Sequence, residues 1–142
     1  MTTATLSQDE AGKTGGLNIA LWIVQALLFL GFGIAGVFKT FTPIDQLAQK
    51  MPWVASLPYL VRFIGLSELA GALGMLLPSL TRIKPGLTAL AGAGLTLVMV
   101  LAAGFHVSRG EYGAVPVNAL LGGLAAFVAW GRSNKAPITA RS

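Results

Sequence analysis

The stretch YLVRFIGLSELAGALGMLL, Tyr59 to Leu77, decides the fold. It is an apolar run long enough to cross the ~30 Å hydrocarbon core of a bilayer as a helix, and it carries a carboxylate, Glu68, near its middle. An ionisable group at that depth costs at least ~2.5–3.5 kcal/mol to insert, so it is expected to face the protein interior or a wet cavity. The rest of the run suits close helix packing. Ser67 and Gly71, and Ala70 and Gly74, are small pairs four apart that let a neighbouring helix approach. At 100° per residue, Glu68 shares a face with Val61, Ile64, Gly65, Gly71, Ala72 and Met75. Arg62, six positions earlier, lies ~9 Å along the axis and about 120° around it, too far for a close pair. Glu68 is therefore expected to keep its proton.

Three more runs of the same kind flank this one. Leu17–Phe38 is the first span; its GFGIAG segment, Gly31 to Gly36, is a packing surface, and Gln25 can bond a neighbouring helix. Gly86–Val107 is the third span, entered through Pro85, with Ala89, Gly92, Ala93 and Gly94 as its small-residue seam. Val115–Trp130 is the fourth, with the pairs Ala119/Gly123 and Gly122/Ala126. Pro78 is expected to end the second span, and Trp130 and Arg132 mark a membrane interface.

Between the first two spans, Thr40–Pro58 is too polar to cross. Thr42, Pro43 and Asp45 resemble an N-cap, an N1 proline and an acidic N3 residue, and Ile44, Leu47, Ala48 and Met51 recur at helical spacing until Pro52. This predicts a short amphipathic helix on the membrane surface, with Trp53 at the interface; the alternative is a lid over the bundle mouth. The ends, residues 1–16 and 133–142, are polar and expected to be loose tails around a membrane domain spanning 17–132. The first of them lacks the charge pattern of a signal sequence. The expected fold is all-α: a transmembrane four-helix bundle with a short interfacial helix between spans one and two.

Composition agrees. The 142 residues are 54% hydrophobic and 11% charged, against about 25% charged in soluble proteins. The net charge of +5 comes from basic residues set singly at the ends of apolar runs, where they anchor spans to headgroups, so no nucleic-acid partner is expected. The absence of cysteine rules out disulfides, a thiol relay, thiolate metal sites and covalently attached haem, and one histidine rules out bis-histidine haem ligation within a subunit. No metal site, intrinsic cofactor or catalytic residue is assigned. Six basic residues (Lys13, Arg82, Lys84, Arg132, Lys135 and Arg141) gather on one side, and four (Lys39, Lys50, Arg62 and Arg109) on the other. That bias predicts both termini in the cytoplasm.

The same topology sends Lys39, Arg62, His106 and Asn118 to one mouth of the bundle, with Glu68 roughly two turns below them. These five are the candidate ligand-binding residues. The bland alternative is that every span has an end and polar residues collect there.

In the GIAGVFK close of the first span (Gly33–Lys39), the GLSELAGALGMLLP stretch (Gly65–Pro78), His106 ending the third span, Asn118 following Pro116, and the closing Trp130–Arg132, the chain resembles the DoxX-like family of small four-span membrane proteins. The resemblance covers Leu17 to Arg132. It implies a four-helix bundle in the bacterial cytoplasmic (inner) membrane. Relatives include a subunit of a thiosulfate:quinone oxidoreductase, while many members have no defined activity.

Three functions compete. The first is a non-catalytic component that holds a lipid-like ligand, a protein partner or a second copy at the mouth. The second is a quinone-linked redox subunit, with a bound quinone whose carbonyl oxygens take donors from the mouth and whose protons pass through a buried carboxyl. Last comes a small proton-coupled transporter, disfavoured by the lack of an internal repeat.

Overall fold

A computed structural model of the chain describes residues 3–142, with side chains from residue 12 onward. The long helices are α1 (Thr3–Phe41), α3 (Pro58–Thr81), α4 (Gly86–Ser108) and α5 (Val115–Trp130); α2 (Ile44–Lys50) is the short helix between the first two spans. A 3-10 turn, Pro52–Ala55, links α2 to α3, another at Tyr112–Ala114 precedes α5, and α5 widens into a π-helical turn at Gly131–Lys135. The four long helices are long and apolar enough to cross a membrane. The chain is an all-α membrane protein.

Glycines set how the helices meet. A Cβ on Gly36 of α1 would meet Leu69 Cγ at 2.8 Å and the Gly65 carbonyl at 2.9 Å. One on Gly65 of α3 would meet Thr40 Oγ1 at 2.6 Å and Lys39 Cβ at 2.9 Å. α1 and α3 therefore touch backbone to backbone. α4 and α5 do the same: a Cβ on Gly92 would lie 2.8 Å from the Ala125 carbonyl, and one on Gly122 3.1 Å from Met99 Cβ. In hydrocarbon, where apolar burial gives helices little reason to associate, this contact is what holds them together. Gly31, Gly94 and Gly123, by contrast, have open space around them, so those parts of the expected seams face outward.

The two tight pairs join at the end that carries the termini. There Gly74 of α3 faces Ala91 of α4, and Gly131 faces Leu21 of α1. The core of that half is Leu21, Leu28, Phe32, Ala72, Met75, Leu95, Met99, Ala125 and Val128. A second cluster at the opposite end is built from Leu47, Trp53, Val54 and Val61. The face of α3 read from the sequence is the buried one: Val61, Gly65, Glu68, Ala72 and Met75 are all buried.

Four local expectations change. α3 runs through Pro78 to Thr81. Pro78 is buried, and the following Ser79 is tied to both Gln25 and Thr88, so tertiary contacts carry the helix past a residue that removes one of its own bonds. The N-terminal segment is helical from Thr3 rather than loose, because extending an existing helix adds a bond for each residue fixed; residues 1 and 2 lie outside the described residues. The C-terminal segment is strapped down: Arg82 Nε donates to the Thr139 carbonyl at 2.8 Å, and the Arg141 amide to the Arg82 carbonyl at 2.9 Å. Finally, the short helix fits, but Thr42 does not cap it. Pro43 is the N-cap, without a side-chain bond.

That short helix also roofs the bundle. Leu47 is fully buried and Trp53 only 6% exposed, with the indole edge-on to Phe105 of α4 at 5.1 Å. Trp53 is thus packed against the protein rather than free on its surface. The apolar stripe of α2 packs with Val61, Ile64 and Phe105 of its own chain, so the segment covers one end of the bundle.

Candidate functional site

The site begins with Gly65. Because it lacks a Cβ, the C-terminal turn of α1 lies directly on α3, and Arg62 Nη1 donates to the Lys39 carbonyl at 2.7 Å. That bond satisfies one of the carbonyls a helix end leaves open. With its backbone so placed, Lys39 sends its ammonium to Glu68, donating to Oε1 at 2.7 Å and Oε2 at 2.8 Å. The pair is lopsided in exposure, 21% for the Lys39 side chain and 3% for that of Glu68. The expectation that Glu68 has no cation close by therefore fails. Arg62 is too far from Glu68, as its spacing implied, but Lys39 from another helix supplies the cation.

At the end of α4 the chain reverses through Gly110, at φ 72. The Glu111 amide bonds the His106 carbonyl at 2.9 Å and the Gly110 amide the Val107 carbonyl at 3.0 Å, the paired bonds of a Schellman cap. This cap lays Glu111 over His106. His106 Nδ1 and Glu111 Oε2 are 2.7 Å apart, and Arg109 Nε donates to Glu111 Oε1 at 3.0 Å. The His106 bond, then that of Arg109, holds the Glu111 carboxyl below its usual range. A carboxylate can only accept, so Nδ1 carries the proton and Nε2 is left for another partner.

Between roof and core lies a cavity of about 530 Å³, lined by all four long helices. Its polar lining includes Lys39, Glu68, His106 and Asn118; its apolar walls include Phe32, Ile64, Met99, Phe105 and Leu121, and Met51 and Trp53 close the top. Asn118 Nδ2 is buried and has no hydrogen-bond partner among the described residues. Four of the five expected site residues thus converge on one cavity. Arg62 does not line it and serves behind it, on the α1 backbone. One contributor, Glu111, was missed from the sequence, and the roof stood there only as the alternative reading of the segment between the first two spans. The signal for Glu111 was present in His106-Val-Ser-Arg-Gly-Glu111, since a glycine just past a helix end brings the next residue back over the last turn.

A second polar cluster lies at the opposite end. Arg132, read as an interface marker, is 5% exposed. It donates from Nε to Gln25 Oε1 and from Nη1 to Asn18 Oδ1, both at 2.6 Å, and its guanidinium lies 5.2 Å from the Trp22 ring. Gln25 Nε2 passes the network on to the Met75 carbonyl and Ser79 Oγ, and Ser79 to Thr88. No described cavity adjoins this cluster, and most of its groups bond one another, with Arg132 Nη2 left buried and unpartnered among the described residues, which makes it a bundle link. Among the described side chains, no group of three or more acidic, histidine or cysteine residues is placed to hold a metal ion.

No curated protein and no solved structure matches the chain. The family model that does match covers residues 23–128, from the first span to within two residues of the end of α5. With most of the chain inside that match, the protein belongs to the DoxX-like family.

Proposed function

We propose that this protein is a non-catalytic membrane component that holds a lipid-like amphiphile in the roofed cavity, the roof lying on the side of the membrane away from the cytoplasm. The carrying observation is Asn118: a residue that lines a largely apolar cavity and whose amide nitrogen is buried without a partner among the described residues. Unmade buried hydrogen bonds are costly, and a ligand acceptor would satisfy this one. The walls suit an apolar body, and His106, also in the lining, offers a second polar contact. A quinone-linked role is the second reading. It is favoured by the His106–Glu111 bond, which connects a ring lining the cavity to a surface carboxylate and could pass protons.

The test is mass spectrometry of protein extracted with its native lipids, wild type beside Asn118→Leu. One amphiphile retained by the wild type and lost from a folded Asn118→Leu supports the reading. A quinone in that place selects the redox role, and a tightly held protein selects a partner. The same lipid complement in both samples defeats the proposal.

A further inference from the structure

Resting on the amphiphile reading above, we propose that the cavity takes its ligand sideways from the bilayer, through a slot between the roof-side halves of α1 and α5. These helices are pinned at the other end, where Leu21 packs on Gly131 and Arg132 reaches Asn18 and Gln25. The backbone-close contacts of the bundle lie within the α1–α3 and α4–α5 pairs, so the two pairs are free to diverge toward the roof. There Gly31 and Ala35 of α1 and Val117 and Leu121 of α5 all line the cavity. Gly31 and Val117 are also exposed on the outside of the protein, Val117 by 57%. A Cβ added to Gly31 would meet nothing within 4 Å. A residue that borders both the cavity and the lipid marks an opening between them.

The other routes are more closely packed: α3 and α4 are in more extensive contact than α1 and α5. From above, Trp53 packs on Phe105 across the roof. Phe63 of α3 and Leu101 of α4 also border both the cavity and the outside, but both are bulky side chains. Glycine and valine put less bulk in the way than phenylalanine and leucine.

The slot also defines its occupant. A cavity of about 530 Å³ falls in the range that accepts a small ligand or a headgroup, ~300–1,000 Å³. A longer tail can trail between α1 and α5 into the hydrocarbon. Lys39 and Glu68 cancel each other's charge, and Asn118 offers a donor. The head that fits is uncharged and carries an acceptor oxygen, such as an ester, ether or ketone.

The experiment uses the full chain with Trp22→Phe and Trp130→Phe, which leaves Trp53, in the cavity lining, as the sole indole. The protein is placed in phosphatidylcholine vesicles with brominated acyl chains, and iodide is the aqueous quencher. Bromine is expected to quench Trp53 and iodide to have little effect. Gly31→Phe should abolish the bromine quenching at an unchanged melting temperature, while Leu101→Phe leaves it intact. Quenching indifferent to Gly31→Phe, sensitive to Leu101→Phe instead, or dominated by iodide overturns the slot. Failure of the amphiphile reading is separate: it shows as identical native lipid complements in wild type and Asn118→Leu.

Discussion

The bundle carries a polar cluster at each end, and the two are built differently. Around Arg132, donors and acceptors from four helices are packed against one another, and Trp22 covers the guanidinium. Around Glu68, the polar groups line a cavity, and one of them, Asn118 Nδ2, has nothing to bond. Polar residues in a span are expensive in either case. Each end leaves one buried donor unmet among the described residues, Arg132 Nη2 at one and Asn118 Nδ2 at the other, so what distinguishes the site from the link is the cavity its residues line.

The sharpest way to break this comparison is Lys39→Met. It strands Glu68, whose side chain is 3% exposed, and removing one partner of a buried pair typically costs about 3–5 kcal/mol. Glu68→Gln should cost far less, because Lys39 is 21% exposed and can turn to water. Thermal unfolding in detergent reads both, and equal losses would show that the pair is not lopsided in energy.

Next in size is Arg132→Met. It leaves Gln25 Oε1 and Asn18 Oδ1 without their donor, a loss of about 2–3 kcal/mol. Protein that remains folded should retain its amphiphile. Loss of the amphiphile at intact fold would mean that the two ends are coupled, and the contrast between link and site would fall.

A glycine pair sharpens the same contrast. Gly65→Ala drives a methyl into Thr40 and Lys39 and should destabilise by about 1–3 kcal/mol, displacing the Lys39 ammonium as well. Gly31→Ala meets open space and should stay within ~0.5 kcal/mol of wild type. A costly Gly31→Ala would mean that another surface packs there.

The smallest effect is one of pH. The carboxyl of Glu111 is held low by His106 and Arg109, so its contribution is complete above the ordinary glutamate range and is lost as pH falls through the lowered value. The carboxyl carbon shift of Glu111 should titrate below that of a free glutamate, and His106→Gln should move it back up. Titration in the ordinary range would mean that the His106 ring is not anchored.

Much of this was legible in the sequence. Spans declare themselves by length and hydropathy, and the buried face of α3 by its 3.6-residue period around Glu68. Lys39, His106 and Asn118 could be brought to one mouth by topology alone, since each sits near the same end of its helix. The pairing of Glu68 was not legible. It depends on Gly65 admitting the α1 backbone, a distance between helices that no spacing within one helix encodes. Arg132 was misplaced for a related reason. A basic residue at a span end is usually solvated, and only the positions of Asn18, Gln25 and Trp22 on another helix draw it inside.

The bond from Arg132 to Gln25 has a consequence in time. Its two residues stand 107 positions apart, one in the first span and the other just past the last. During synthesis α1 enters the membrane long before its partner exists, and the acceptor oxygen of Gln25 waits until α5 has been delivered. Helices that insert singly and associate afterwards can join α1 to α3 early, but the terminal end closes only when the last span arrives. A chain that stalls before Arg132 leaves a polar notch open to lipid, the kind of feature by which an unfinished bundle can be told from a complete one.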